Sequence, residues 1–287
     1  MARVAYVNGA YLPLPQASVN IEDRGYQFAD GVYEVVAVAG GKLTDWAAHV
    51  KRLDRSLGEL RIAAPMGHQA LTVIAREVVR RNRVANGILY IQITRGVAKR
   101  DHPFPNGGRP SLVMTSRPVD FDAIARRAEK GVTVASVPDV RWGRCDIKTV
   151  SLLPNILAKQ AAREAGAYEA WQVDDEGYVT EGASTNAWIV EEDGRLVTRP
   201  EEDNILNGIT RQTLIPIAKS LGYKVAERPF TVAEAKAARE AFVTSTTAFV
   251  MPVTEIDGQV IGNGAPGSIT MALLEAYRAH LHAQAKA

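Results

Sequence analysis

The chain has 287 residues, of which 46% are hydrophobic and 23% charged, and this composition is typical of a globular protein and excludes a disordered one. Its 34 Lys and Arg residues nearly balance its 32 Asp and Glu residues, so the net charge of +2 argues against nucleic-acid binding. The absence of a signal peptide or an apolar run of about 18 residues, together with a single cysteine, Cys145, predicts a cytoplasmic protein with no membrane association.

The first part of the chain alternates between strand and helix patterns. Apolar side chains recur at three- and four-residue steps from Trp46 to Leu60, which predicts an amphipathic helix, with Thr44 and Asp45 as candidate N-cap residues. The other elements predicted here are a strand over 33–39, a helix over 69–83 with a solvated basic end, and strands over 88–94 and 111–115.

The second part begins after residues 116–122, which mix Pro with Asp, break both periods and predict a linker. Beyond it we predict strands over 131–137, 168–173 and 186–190, helices over 155–164 and from Thr210 to Gly222, and a terminal helix from near Pro266. This order predicts a mixed α/β fold and is too irregular for a (β/α)₈ barrel. We expect a smaller N-terminal α/β domain over 1–118, a linker over 119–122 and a larger C-terminal α/β domain over 123–287.

Three patterns suggest chemistry that their surroundings do not support. The segment 262–267 matches the G-x-G-x-x-G dinucleotide pattern, but too few residues follow it for the second strand of a βαβ unit, so we expect a turn and a helix start. His280 and His282 lie on different faces of a helix, so we expect no metal site. Cys145 has no evident histidine partner and is expected to be a small buried apolar group.

The most informative segment runs from Val140 to Val150 and contains Lys148. A lysine among apolar residues just after a strand can be desolvated, and burial favours the neutral amine that forms a Schiff base with a carbonyl. Glu181 follows in a turn of small residues, and the Gly-containing loop over 206–211 opens a helix whose N–H groups can bind a phosphate. With the hydroxyl cluster at 244–247, these are the parts that a pyridoxal phosphate site needs.

At these residues the sequence resembles the class IV (fold type IV) pyridoxal-phosphate aminotransferases, and within that family it is most similar to the bacterial D-amino acid aminotransferases. The similarity runs nearly end to end and is strongest over 22–34, 141–148, 152–160, 181–186, 208–211 and 243–247. It implies a fold type IV enzyme of two domains, each a sheet or pseudo-barrel with helices, that uses pyridoxal 5′-phosphate.

The resemblance also implies roles for individual residues. Lys148 is the catalytic residue, which forms the internal aldimine and then moves the proton between the substrate Cα and the cofactor. Glu181 is the partner of the pyridine nitrogen. The remaining cofactor residues, which surround the phosphate, are Arg52, Ile209, Thr210 and Thr246. The substrate is bound by Tyr33, Arg100, His102 and Thr247.

The implied reaction is a reversible ping-pong transfer of an amino group from a D-amino acid such as D-alanine to a 2-oxo acid such as 2-oxoglutarate. The loop that carries Arg100 reaches a neighbouring active site in this family, which implies a homodimer. The alternatives are a branched-chain L-amino acid aminotransferase, which lacks the R-x-H arrangement of Arg100 and His102, an (R)-amine transaminase and 4-amino-4-deoxychorismate lyase. A non-catalytic binding protein is a further alternative. Ala183 replaces a serine that is usual in D-specific relatives and leaves the substrate range open.

Overall fold

The computed structural model describes residues 3–202 and 204–286, and the chain divides into two compact units. Unit 1 comprises Met1–Asp120, Ile147–Ser151 and Leu281–Ala287, and unit 2 comprises Phe121–Asp146 and Leu152–His280. Each unit contains a sheet with helices, and this arrangement confirms the predicted mixed α/β fold. The linker over 119–122 stays a prediction; in the structure these residues include the start of a helix at Phe121.

Unit 1 is built on a six-stranded antiparallel sheet. Its strands are β1 (Val4–Val7), β2 (Ala10–Pro13), β3 (Gly31–Ala39), β4 (Lys42–Leu43), β5 (Gly87–Thr94) and β6 (Ser111–Pro118), and they lie in the order β2-β1-β6-β5-β3-β4. Its helices are a short 3₁₀ helix (Leu14–Gln16), α1 (Arg24–Phe28), α2 (Trp46–Glu59) and α3 (His68–Arg81). Leu53 and Leu57 of α2 and Val78 of α3 join the sheet residues in one apolar core.

The periodicity located α2 and α3 correctly, and Asp45 is the N-cap residue of α2, but it does not cap the helix with its side chain. Asp45 has a left-handed backbone (φ 50°), and its side chain makes no capping hydrogen bond to the helix. Instead, the side-chain amide of Gln284 donates to the Asp45 carboxylate at 2.6 Å. At the end of α3, Glu77 binds Arg80 and Arg81, each at 2.7 Å, on the surface. The basic end of α3 is therefore a solvated ion-pair cluster, as the sequence predicted.

Unit 2 is built on a mixed nine-stranded sheet. Its strands are β7 (Val132–Pro138), β8 (Glu169–Val173), β9 (Val179–Gly182), β10 (Asn186–Val190), β11 (Leu196–Thr198), β12 (Val225–Glu227), β13 (Glu240–Ser245), β14 (Phe249–Ile256) and β15 (Gln259–Val260). They follow the order β12-β11-β10-β13-β14-β7-β8-β9, with β15 beside β14. The helices are α4 (Phe121–Ala128), α5 (Leu153–Glu164), α6 (Ile209–Ser220), α7 (Val232–Ala237) and α8 (Ser268–Lys286). Within the described residues, none of the helices is long and apolar enough to cross a membrane.

Buried aromatic side chains fix the centre of this sheet. Trp188 of β10 and Phe242 of β13 are fully buried, and their rings stack with centroids 5.3 Å apart. The indole N–H of Trp188 donates to Thr244 at 3.0 Å, so its one polar atom is satisfied. Because β10 and β13 pair directly, the segments at their ends, which include Asn186, are held in a fixed register.

The glycine-rich segment over 262–267 leads into α8, and its helix start is already occupied. The buried carboxylate of Glu240 accepts the backbone N–H groups of Ile269 (3.1 Å) and Thr270 (2.8 Å). A Cβ at Gly267 would lie 1.9 Å from the Glu240 carboxyl carbon, so glycine lets the carboxylate approach the helix. The pattern therefore forms a turn and a helix start, as predicted, and Glu240 already occupies two of the amides at that start.

Candidate functional site

Lys148 lies in unit 1, where segment 147–151 pairs with the start of β3. Its carbonyl accepts the backbone N–H of Tyr33 at 3.0 Å, and its own N–H donates to Ser56 Oγ of α2 at 3.3 Å. Its Nζ lies 4.1 Å from the centroid of the Tyr33 ring. The side chain is half-buried and makes no ion pair or hydrogen bond with any residue that the structure describes. The amine is thus placed beside an aromatic ring with no carboxylate bound to it.

The sequence placed Lys148 directly after a strand, and this is wrong. The preceding strand, β7, ends at Pro138, and an irregular segment separates it from Lys148. The lysine is positioned instead by its backbone hydrogen bonds to β3 and α2. These partners are distant in sequence, so local periodicity could not indicate them.

Arg52 lies on α2, one helical turn before Ser56, and is buried in an ion pair with Glu34 of β3. Its Nε donates to Glu34 Oε1 at 2.8 Å and its Nη2 to Oε2 at 2.7 Å. His49, on the same face of α2, places its Nδ1 2.7 Å from Glu34 Oε2. Glu34, His49 and Arg52 are 1%, 3% and 8% exposed, so the guanidinium is held by a carboxylate that water hardly reaches.

The titration of this cluster follows from burial and charge. Burial alone would raise the pKa of Glu34, but the charge and hydrogen bonds of Arg52 outweigh it and lower the pKa to about 2. Burial lowers the pKa of His49 below its usual value, although the Glu34 carboxylate opposes the shift. Near neutral pH, Glu34 is therefore a carboxylate that pairs with the Arg52 guanidinium, and His49 is a neutral hydrogen-bonding partner.

Arg100 and His102 lie together in the irregular segment after β5, and both are exposed in the single chain. They share one neighbour, the ring of Phe28 at the end of α1. The Arg100 guanidinium carbon lies 5.1 Å from that ring's centroid, and the His102 ring centroid lies 5.7 Å from it. The structure thus brings these two predicted substrate residues to one place in unit 1.

Glu181 lies on β9 in unit 2, is 6% exposed, and is held from three directions. The Arg141 guanidinium forms an ion pair with Oε1. The side-chain amide of Asn186 donates to Oε2 at 3.1 Å, and the backbone N–H of Leu206 lies 3.2 Å from both oxygens. These donors fix the carboxylate in one orientation.

Arg141 is bound by a second carboxylate, that of Asp139. Its Nη2 lies 2.6 Å from Asp139 Oδ2, and Thr180 Oγ1 donates to the same oxygen at 2.6 Å. Burial alone would lower the pKa of Arg141, but the Asp139 and Glu181 carboxylates outweigh it and raise the pKa. Burial raises the pKa of the neighbouring Cys145 thiol to about 12, so this thiol stays protonated near neutral pH.

The first turn of α6 contains the residues for which the sequence predicts a phosphate cradle. Gly208 is its N-cap, no side chain of the described residues caps it, and Ile209 and Thr210 follow, each 2% exposed. A Cβ at Gly208 would lie 2.1 Å from Asn186 Oδ1, so only glycine fits here without a shift. Because Asn186 also binds Glu181, one side chain connects the Glu181 carboxylate with this helix start.

Thr246 and Thr247 lie in the turn between β13 and β14, where Thr246 is half-buried and Thr247 exposed. Thr244 of β13 pairs with Asn186 of β10, so this turn lies at the same end of the sheet as Asn186. The Ser245 hydroxyl accepts the N–H of Ala248 at 3.0 Å and closes the turn. The structure therefore brings Glu181, the start of α6 and the Thr246 turn to one end of the unit 2 sheet.

Ala183 follows Glu181 by two positions and packs inward. It is 7% exposed and clusters with Ala158 and Ala162 of α5 and Ala170 of β8. Its carbonyl accepts the side-chain amide of Asn155 at 3.0 Å. The side chain thus belongs to a small apolar cluster, in which a serine hydroxyl would need a new partner.

Four residues that build these sites have no role in the sequence analysis: Glu34, Asp139, Arg141 and Asn186. Glu34 stands in a strand of buried apolar residues, and a charge at such a position signals a buried ion pair. Asp139 and Arg141 follow the end of β7 and give no comparable signal. Among the described residues, no group of three or more His, Cys, Asp or Glu side chains is placed to hold a metal ion.

Comparisons with known proteins agree on one family. The family model described as amino-transferase class IV matches residues 31–256. The D-alanine aminotransferase of Bacillus licheniformis is 41% identical over 263 residues, which cover 92% of each chain. That of Staphylococcus haemolyticus is 39% identical over 279 residues, 97% of this chain and 98% of the relative. The solved T.th. branched-chain amino acid aminotransferase with pyridoxamine 5′-phosphate is 27% identical, with a TM-score of 0.91 over 99% of this chain and 95% of that one.

The Glu34 cluster generates a prediction about stability. In the folded protein the pKa of Glu34 is about 2, below its usual value of 4.5. The charged Glu34 carboxylate therefore stabilises the fold fully above pH 4.5, and this stabilisation is lost as the pH falls towards 2. Glu34→Gln should lower the free energy of unfolding by about 3 kcal/mol at pH 7, and the difference from wild type should narrow at pH 3. Urea denaturation at both pH values measures this.

The matched control is Glu77→Gln, which removes a carboxylate from a surface ion pair in the same unit. Because water screens that pair, we expect little change at either pH. A difference for Glu34→Gln that is small, or that does not depend on pH, would show that the buried ion pair is not a stabilising feature.

Proposed function

The chain belongs to the class IV aminotransferases, and we propose that it transfers an amino group from a D-amino acid such as D-alanine to a 2-oxo acid such as 2-oxoglutarate. The geometric observation that carries the proposal is the Lys148 amine, which is held beside Tyr33 with no carboxylate bound to it. The specificity for D-amino acids is supported by the identity of about 40% to D-alanine aminotransferases over nearly the whole chain. The single cysteine supports a cytoplasmic location.

The cofactor is pyridoxal 5′-phosphate, and the residues present fit it. The open first turn of α6 offers the backbone N–H groups of Ile209 and Thr210 to a phosphate, and the absence of a Cβ at Gly208 keeps this turn close to Asn186. Arg52 supplies a positive charge for the phosphate, and the Thr246 hydroxyl a further hydrogen bond. When bound, the cofactor supplies an aldehyde that accepts an amino group and a ring that withdraws electrons from the substrate Cα.

Lys148 and Glu181 have complementary roles in this proposal. The Lys148 Nζ would attach the cofactor covalently, and its free amine would move the proton that leaves the substrate Cα. Glu181 would bind the pyridine nitrogen and favour its protonated form. Because Arg141 and Asn186 hold the Glu181 carboxylate in place, it could keep that contact without rotating away.

The α-carboxylate of the substrate binds Arg100 and His102, with Tyr33 and Thr247 as further contacts. A guanidinium offers a planar fork of donors that matches the two carboxylate oxygens. With the carboxylate held there and the Cα–H directed at Lys148, only one enantiomer could direct its side chain into open space, and the similarity to D-alanine aminotransferases indicates that it is the D enantiomer. The R-x-H arrangement of Arg100 and His102 favours this function over that of a branched-chain aminotransferase.

The protein acts as a homodimer in this proposal. Arg100 and His102 are exposed in the single chain, and apolar side chains around them are exposed as well: Ile21 (77%), Tyr26 (74%), Val97 (44%) and Phe104 (46%). A surface with this many exposed apolar residues is typical of an interface. If a second copy of the chain covered this surface, Arg100 and His102 would be removed from bulk water.

The role of Lys148 can be tested chemically. Borohydride reduction of the protein with its cofactor, followed by peptide mapping, should find the pyridoxyl group on Lys148. Lys148→Ala should lose most turnover, because one amine supplies both the attachment and the proton transfer, and acid–base catalysis alone contributes about 10²–10⁴-fold. Lys42→Ala, which changes an exposed lysine of the same unit, should keep wild-type activity. A label on another lysine would refute the assignment.

The stereochemical preference gives an independent test. An amino-donor panel with both enantiomers and 2-oxoglutarate should show a strong preference for D-alanine, D-glutamate or D-aspartate over L-leucine and L-valine. Arg100→Ala should weaken substrate binding by about 1.5–3 kcal/mol and leave the absorbance of the bound cofactor unchanged. Arg76→Ala, on the exposed face of α3, is the control. A preference for L-leucine, or unaltered kinetics of Arg100→Ala, would favour the branched-chain alternative.

A further inference from the structure

The helix α1 carries no residue of the proposed site, although it lies in segment 22–34, one of the strongest parts of the family resemblance. It has five residues, Arg24–Phe28, and its N-cap Asp23 accepts the N–H of Gly25 at 2.8 Å. So short a helix buries little apolar surface of its own. Its contacts with the segment that carries Arg100 and His102 indicate what it does.

Arg24 is a buried arginine that binds the main chain of that segment. It is 4% exposed, its Nη1 donates to the carbonyl of Asp101 at 2.6 Å, and its Nη2 lies 3.3 Å from the carbonyl of His102. Its Nε donates to the carboxylate of Asp30 at 2.8 Å. One guanidinium therefore joins the partly buried Asp30 carboxylate to two successive carbonyls beside Arg100.

Phe28, at the other end of α1, contacts the two side chains themselves. Its ring lies 5.1 Å from the Arg100 guanidinium carbon and 5.7 Å from the His102 ring centroid. The guanidinium carbon of Arg24 lies 4.9 Å from the same ring centroid. The ring is thus surrounded by two cations and an imidazole, which its π system attracts.

Asp30 anchors a second arginine, which binds the same segment further on. Arg95 Nε donates to Asp30 Oδ2 at 2.7 Å, and its guanidinium carbon lies 3.6 Å from the Phe104 ring centroid. Burial alone would raise the pKa of Asp30, but the hydrogen bonds from Arg95 and Arg24 outweigh it and lower the pKa. The carboxylate therefore stays charged and holds both arginines near neutral pH.

These contacts matter because residues 98–110 contain neither helix nor strand. An irregular segment keeps one conformation only if its contacts compensate the conformational entropy it loses. The Arg24 and Phe28 contacts fall at 100–102, where the proposed carboxylate-binding side chains are attached. Arg95 supports the segment at Phe104.

We propose that Arg24 is a positioning residue of the substrate site, which fixes the backbone at 101–102 while Phe28 orients the side chains of Arg100 and His102. The inference rests on the proposed function, because that function assigns the α-carboxylate to Arg100 and His102. Arg24 itself touches neither substrate nor cofactor in this account.

Steady-state kinetics with D-alanine and 2-oxoglutarate test the inference on Arg24→Met, which keeps the length of the side chain and removes all its polar contacts. Because both substrates carry an α-carboxylate, KM should rise for both by about 10-fold or more, with a smaller change in kcat. The dissociation constant and absorbance of pyridoxal 5′-phosphate should not change. The control is Arg3→Met, which removes another arginine that donates to a backbone carbonyl of unit 1, that of Ser116, and should leave both KM values unchanged.

Two further variants keep the test decisive. Phe28→Leu should also raise both KM values. Arg24→Lys can replace only part of the contacts, so its KM values should lie between those of wild type and Arg24→Met. Both variants replace Arg24→Met in the test if that variant does not fold. If Arg100→Ala raises KM but Arg24→Lys and Phe28→Leu do not, the inference is wrong and the proposed function stands. If Arg100→Ala leaves KM unchanged, the proposed carboxylate site fails.

Discussion

Removing a carboxylate from water is costly unless cations and hydrogen-bond donors receive it, and this constraint decides how Glu181 lies. Arg141 and Asn186 bind its two oxygens, so the carboxylate has one orientation. In unit 1 the buried carboxylate of Glu34 holds the guanidinium of Arg52 in the same way. In both units, a side chain that we assign to the cofactor is therefore positioned by charges that are paired within the protein.

Much of the fold follows from local patterns in the sequence. The spacing from Trp46 to Leu60 located α2, because that helix buries one face with a regular period. The apolar run over 186–190 coincides with β10, in which every residue is buried. The five-residue helix α1 is too short to show a period. The pairing of β7 with β14 joins strands more than a hundred residues apart, and no local pattern can specify it. Asp45 is the N-cap residue of α2 as predicted, but the sequence did not indicate that its side chain binds Gln284, far along the chain, instead of the helix.

In the candidate site too, the sequence indicated some residues and not others. The residue types of Lys148 and Glu181, with the glycine at 208, suggested their chemistry before any geometry was available. The sequence did not indicate the residues that position the site. Arg141 binds Glu181 across 40 residues, and Arg24 binds the carbonyl of His102 across 78. Such pairs are specified by the tertiary fold, so the residues that position a site are harder to find than those that perform its chemistry.

The central claim is that Lys148 and Glu181 act on one cofactor molecule, and a crystal structure of the protein reconstituted with pyridoxal 5′-phosphate tests it most directly. The account predicts continuous electron density from Lys148 Nζ to the cofactor and a Glu181 carboxylate oxygen within hydrogen-bonding distance of the pyridine nitrogen. It also predicts that the phosphate contacts the first turn of α6. A cofactor attached to another lysine, or a pyridine nitrogen that faces away from Glu181, would contradict it.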